Sequence, residues 1–85
     1  MNRDLERKKI EIEVEALFKK ILKINENINI HNVIRSQYNN WDSINHLNLI
    51  LSIEQKFDIS MPSEDIENIV DFNSFIKIII KNTKK

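Results

Sequence analysis

The sequence predicts an all-α fold, a small four-helix bundle of three longer helices and one short one, with a long loop between helices one and two. Three observations point there. Apolar residues recur at helical spacing in three separate stretches, no segment carries a strand pattern strong enough to compete with them, and the breaks between stretches are rich in Asn, Asp and Ser and hold the single proline. At 85 residues, the chain buries roughly 60 to 65% of the surface its unfolded form exposes, enough for one small core and hence a single domain over residues 1–85.

The first helix is predicted from about Asp4 to Ile24, with Ile10, Val14, Leu17, Phe18, Ile21 and Leu22 on one face. The opposite face is charged, and Glu15 precedes Lys19 by four residues, the favourable order for a surface pair. Asn25 or Asn27 supplies the left-handed cap that glycine usually provides. From Asn25 to Asp42 the helical period is lost, and Ile28, Ile30, Val33, Ile34, Tyr38 and Trp41 must pin a long ordered loop to the core.

The second helix begins at Trp41-Asp42-Ser43-Ile44, capped by Asp42 or Ser43, and runs to about Phe57. Ile44, Leu47, Ile50, Leu51 and Phe57 are expected on or near its core face. The short third helix lies within Ser63 to Val70, with Ser63 as N-cap and Glu64 and Asp65 at its positive end. Asp71 caps the fourth, whose Phe72, Phe75, Ile76 and Ile79 form the core stripe; Lys77 and Lys81 lie in or near its negative end, and Asn82 closes it.

Composition removes several classes of function. Without cysteine there is no disulfide framework, thiolate metal site or cysteine nucleophile, which suits a cytoplasmic setting. Without glycine there is no phosphate-cradling loop of the nucleotide-binding kind. The start from Met1 to Glu6 is charged, and no apolar run approaches the roughly 20 residues of a membrane span. Nucleic-acid binding is not expected either, because the lysines gather at the two chain ends and the second helix lies in an acidic block.

The catalytic inventory is thin. His31 and His46, fifteen residues apart and without a carboxylate at ligand spacing, make no recognisable metal site and read as surface histidines. Ser43 and His46 share a helical face, but an acyl-transfer pair also needs an oxyanion hole and a cleft. What remains is Ser43 at the mouth of a helix, preceded by an acid. Free backbone N–H groups and the positive helix end at that position suit a phosphate ester.

The stretch Trp41-Asp42-Ser43-Ile44-Asn45-His46-Leu47, the run Leu49 to Ile59 with Glu54, Phe57 and Ile59, and Met61-Pro62 together resemble the acyl carrier proteins. They look like that family's D-S-[LI] attachment motif, the E-x-x-F-x-[IV] end of its second helix and the proline opening its short third helix. The resemblance spans about Tyr38 to Asn82, and the first helix and loop agree in length. It implies that a magnesium-dependent phosphopantetheinyl transferase joins Ser43 Oγ to the phosphopantetheine of coenzyme A, releasing adenosine 3′,5′-bisphosphate. Asp42 would help engage the transferase and its metal.

The resemblance further implies a non-enzymatic, monomeric carrier that holds an acyl or aminoacyl group as a thioester and meets acyl-loading and acyl-transferring enzymes. Its partner-facing residues would be Trp41, Ile44, Asn45, Asn48, Glu54, Asp58, Glu64 and Asp65. Trp41 also reads as a staple packed on the next turn. Phe57, Phe72 and Phe75 read as core, and with Leu47, Ile50, Leu51, Ile59, Ile66, Ile69 and Ile76 they would border an acyl cavity. Asn40 stands where the family often has glycine, as the next-best residue for left-handed backbone. Trp-Asp-Ser is similar to stand-alone carriers of specialised pathways. The alternative reading is a helical adapter in which Ser43 is only a cap.

The zero net charge is a cancellation. Residues 37–71 hold seven acids and one base, whereas residues 72–85 hold four bases and no acid. Ser43 therefore lies in an acidic block suited to a basic partner surface.

Overall fold

The computed structural model describes residues 3–83; Met1 and Asn2 of the charged start and the terminal Lys84 and Lys85 lie outside them. Four α-helices form the bundle: α1 (Arg3–Leu22), α2 (Ser43–Phe57), α3 (Ser63–Glu67) and α4 (Phe72–Thr83), with one 3-10 turn at Ile30–Asn32 in the long loop. The only extended pairing among the described residues is an isolated antiparallel bridge between Ile34 and Asp71.

α1 buries Val14, Phe18 and Leu22 completely, with Ile10, Leu17 and Ile21 packed around them. Glu15 and Lys19 form the anticipated pair at 3.0 Å on its outer face. The helix ends on a left-handed residue, and that residue is Lys23 (φ 55°) rather than Asn25 or Asn27. Ile24 N–H then reaches back to Lys19 O at 3.1 Å, closing a Schellman motif. Asn25 instead shapes the turn, its Oδ1 accepting from Asn27 N–H. α2 ends the same way, with Asp58 left-handed (φ 54°) and Ile59 N–H on Glu54 O.

The loop is tied down along its length. Ile30, Val33 and Trp41 are buried, whereas Ile28 and Ile34 stay largely in solvent. Tyr38 Oη donates to Lys23 O at 3.4 Å and Asn40 Nδ2 to Leu22 O at 3.0 Å, so loop side chains satisfy carbonyls left open at the end of α1. Asn40 thus serves through its amide; its backbone is not left-handed. At the loop's middle, Arg35 N–H donates to Val70 O at 2.8 Å beside the Ile34 bridge, fastening it to the entry of α4.

α2 is rotated relative to the expectation. Ile50 is buried as predicted, but Ile44, Leu47 and Leu51 are 71%, 56% and 57% exposed, and His46, Leu49 and Ile53 join Ile50 in the core. Both sets are spaced as helical stripes, so periodicity alone could not choose between them. Leu47 and Leu51 consequently cannot border an interior acyl cavity; Ile69 and Ile76 are buried, and Phe57, Ile59 and Ile66 are half-buried.

α3 takes five residues of the expected segment, and Pro62 rather than Ser63 occupies its N-cap position, with no side-chain cap. Ser63 is its first helical residue, and Pro62 O accepts from Asp65 N–H and Ile66 N–H. α4 follows the sequence closely. Phe72, Phe75, Ile76 and Ile79 are buried, and Ser74 N–H donates to Asp71 Oδ1 at 2.8 Å while Ser74 Oγ accepts from the N–H groups of Val70 and Asp71. Asn82 lies within the last turn, and its Nδ2 reaches Ile78 O and Asp65 Oδ2.

Left-handed backbone costs a residue with a Cβ roughly 1 to 2 kcal/mol that glycine avoids. Lys23→Gly is therefore expected to stabilise the fold by up to about 1 kcal/mol, after the larger unfolded-state entropy of glycine is subtracted. Urea denaturation should show a higher midpoint at unchanged m-value.

Candidate functional site

Asp42 sets the geometry around Ser43. Its backbone is extended, and its Oδ1 accepts from Asn45 N–H at 2.8 Å while its carbonyl takes the first helical bond from His46 N–H at 2.8 Å. Asp42 is therefore the cap and Ser43 the first helical residue. The Ser43 side chain is exposed, and its Oγ makes no hydrogen bond among the described residues. Ser43 N–H and Ile44 N–H remain at the positive end of a 15-residue helix.

Beneath Ser43 lies a buried polar relay. Trp41 is 3% exposed and His46 only 4%. Trp41 Nε1–H donates to His46 Nδ1 at 2.9 Å, and His46 Nε2 meets Ile66 O at 3.0 Å. An indole nitrogen can only donate, so Nδ1 must be unprotonated and Nε2–H donates to Ile66 O. The imidazole is thus a neutral strut from the entry of α2 to α3. Burial lowers its pKa below 6.5, the bond to Ile66 O opposes that, and the Arg35 charge lowers it further.

This arrangement corrects the reading of His46. His46 is a core residue, not a surface one, and both its ring nitrogens are engaged away from Ser43. No Ser-His pair forms. His31 is exposed, with its ring edge-on to Phe72 at 5.4 Å. Among the described residues no group of three or more His, Cys, Asp or Glu could hold a metal ion.

Two open clefts flank Ser43. One, about 400 Å³, is lined by Arg35, Ser36, Trp41, Asp42, Ser43 and Val70. The other, about 320 Å³, is lined by Arg35, Ser43, His46, Leu47, Ile66 and Glu67. Arg35 borders both, and among the described residues its guanidinium is held only by a long 3.5 Å contact from Nη1 to Ile69 O. The sequence reading passed over this residue. Its one signal was that no other Arg or Lys stands between Lys23 and Lys56.

The residues singled out for partner contact separate into three groups. Ile44, Asn48, Asp58 and Glu64 are exposed with Ser43 and Asp42. Asn45 is half-buried, its Nδ2 donating to Asn40 O at 2.8 Å, and Glu54 is half-buried with Oε2 accepting from Met61 N–H at 2.9 Å. Trp41 and Asp65 present almost no surface to a partner. The Asp65 side chain is 8% exposed and bonds Lys81 Nζ at 3.1 Å and Asn82 Nδ2 at 3.3 Å, fastening α3 to α4. The Lys81 bond, then that of Asn82, holds its carboxyl below the ordinary 3.8.

Since Asp42 caps α2 and Ser43 does not, Asp42→Ala is expected to cost about 1 kcal/mol and Ser43→Ala less than about 0.5 kcal/mol, read by chemical denaturation. The lowered Asp65 value means that its pair adds stability at pH values above 3.8, which is lost as the pH falls through the folded-state pKa. Lys81→Met should raise the Asp65 carboxyl toward 3.8, followed by NMR titration of its side-chain carbon. No protein-family model and no curated protein matches this chain.

Proposed function

We propose that this chain is a carrier protein that holds an acyl or aminoacyl group on 4′-phosphopantetheine attached to Ser43 and presents it to the biosynthetic enzymes of a specialised pathway. The observation that carries this reading is the placement of Ser43: an exposed hydroxyl on the first residue of a helix capped by its neighbour, between two clefts that share Arg35. It joins the resemblance of residues 38 to 82 to acyl carrier proteins.

The residues present fit such a group. A phosphodiester on Ser43 needs an unobstructed Oγ, room beside it for a flexible arm, and positive potential for one negative charge. The hydroxyl is unencumbered, the clefts are open, and the helix end is supplemented by Arg35. When bound, 4′-phosphopantetheine supplies the thiol that carries the cargo as a thioester.

The protein's own part is position and recognition. Asp42 fixes the helix start, so Ser43 is presented in one orientation to a phosphopantetheinyl transferase. Ile44, Leu47 and Leu51 form an exposed apolar stripe running along α2 from Ser43. Exposed Asp42, Asp58, Glu64 and Glu67 supply acidic charge for a partner with basic side chains. Trp41 and Asp65 act from below, the first by anchoring the helix entry and the second by holding α3 to α4.

The exposed stripe also favours a second reading, a helical adapter that docks a partner through Ile44, Leu47 and Leu51. In that reading Ser43 is unmodified, and the cap is Asp42. Incubation with coenzyme A, magnesium and a broad-specificity phosphopantetheinyl transferase separates the two. Intact mass should rise by one phosphopantetheine in wild type and stay unchanged in Ser43→Ala. A wild-type chain that gains no mass with any transferase would sink the carrier reading and leave the adapter.

A further inference from the structure

We propose that the Trp41–His46–Ile66 hydrogen-bond chain is a pH-operated latch: closed near neutral pH, it ties the segment entering α2 to α3, and protonation of His46 releases its Trp41 end. The proposal does not depend on what Ser43 carries. It stands on two well-formed bonds, 2.9 and 3.0 Å, made by one buried imidazole to two different elements.

The asymmetry of release follows from the chemistry of the ring. At neutral pH, Nδ1 is an acceptor facing the indole N–H and Nε2–H is a donor facing the Ile66 carbonyl. A proton added to Nδ1 turns that acceptor into a donor and sets two donors head to head. The Trp41 bond cannot survive, whereas the bond to Ile66 O survives and strengthens, because a charged donor binds a carbonyl more tightly than a neutral one. α3 therefore stays on His46 while Trp41 is freed.

The surroundings bias when this happens. The charged groups lining the cleft beside the imidazole are Arg35 from the loop, which opposes a second positive charge, and Glu67 at the end of α3. Asp65, the other nearby acid of α3, is committed to Lys81 and Asn82. Burial is the larger effect and Arg35 adds to it, so the latch is closed at neutral pH and opens below the ordinary histidine range.

Release reaches Ser43 through the chain itself. A freed Trp41 that stayed packed would leave a buried indole N–H unpaired, so the ring must shift toward water. Trp41 directly precedes Asp42, whose carboxylate caps α2. Opening the latch thus loosens the helix start that presents Ser43, without detaching the α3 wall of the neighbouring cleft.

The protein holds one tryptophan and two histidines, so it reports on itself. The experiment follows wild-type Trp41 emission, the indole ¹H–¹⁵N resonance and the imidazole ¹⁵N shifts from about pH 7.5 to about pH 5. His46 should show the Nε2–H tautomer at neutral pH. Emission and the indole resonance should then change together, with a midpoint below 6.5 and with far-UV helicity retained. His46→Gln should abolish the transition and His31→Gln should preserve it. An Nδ1–H tautomer, a Trp41 signal that stays flat while His46 titrates, or loss of helicity at the same midpoint would each overturn the latch. The tautomer and the coincidence of signals are read on wild type, so the decision holds even if His46→Gln fails to fold.

Discussion

Phe18 is the point on which the rest of the structure depends. Its ring is fully buried and meets Trp41 edge-on at 5.0 Å, Phe72 edge-on at 5.4 Å and Phe75 at 5.3 Å. One side chain of α1 thereby joins the end of the long loop to two turns of α4. Aromatic pairs in such geometry contribute about 0.5 to 1.5 kcal/mol each beyond their burial, a large share for a domain this small. Once Trp41 is drawn into that junction, its N–H needs a buried partner, and His46 supplies it. The imidazole in turn needs a partner for Nε2–H, found at Ile66 O. Apolar packing at Phe18 thus fixes the rotation of α2 and the seat of α3 through a chain of obligatory hydrogen bonds.

That chain explains where sequence patterning succeeded and where it failed. α1 and α4 carry one dominant apolar stripe each, with Ile12, Ile78 and Ile80 outside the buried set, so their core faces were legible: Val14, Phe18 and Leu22 on one, Phe72, Phe75, Ile76 and Ile79 on the other. α2 carries two stripes, Ile44, Leu47 and Leu51 against Leu49, Ile50 and Ile53. Hydrophobicity alone favours neither, and a histidine on the second stripe argues against burying it. The deciding fact is a tertiary one, that Trp41 brings a donor to His46. Nothing in the residue spacing announces that pair.

Capping was legible as chemistry but less so as position. Asp42 and Ser43 were equal candidates at α2, and Asp71 was unopposed at α4. In a chain with no glycine the left-handed helix ends could not be assigned by residue type. Lys23 and Asp58 took them, while the asparagines nearby were drawn into side-chain bonds: Asn25 to its own turn and Asn40 to the carbonyl of Leu22. The backbone bonds of a Schellman closure outweigh the local preference of asparagine for that conformation.

The division of labour between Asp42 and Ser43 has an electrostatic counterpart. At long range the surface around Ser43 is acidic, since residues 37–71 carry seven acids against one base, and such a field attracts a basic partner over roughly a Debye length of 8 Å. At short range the same field opposes an anion on Ser43, with Asp42 adjacent and Glu67 on one cleft wall. Arg35 offsets those acids locally, because it borders both clefts and has no carboxylate partner among the described residues. A serine that is meant only to cap a helix requires neither this exposed hydroxyl nor this cation. The carrier proposed above would use both, and the loop that positions Arg35 is fastened to α4 by the Ile34 bridge.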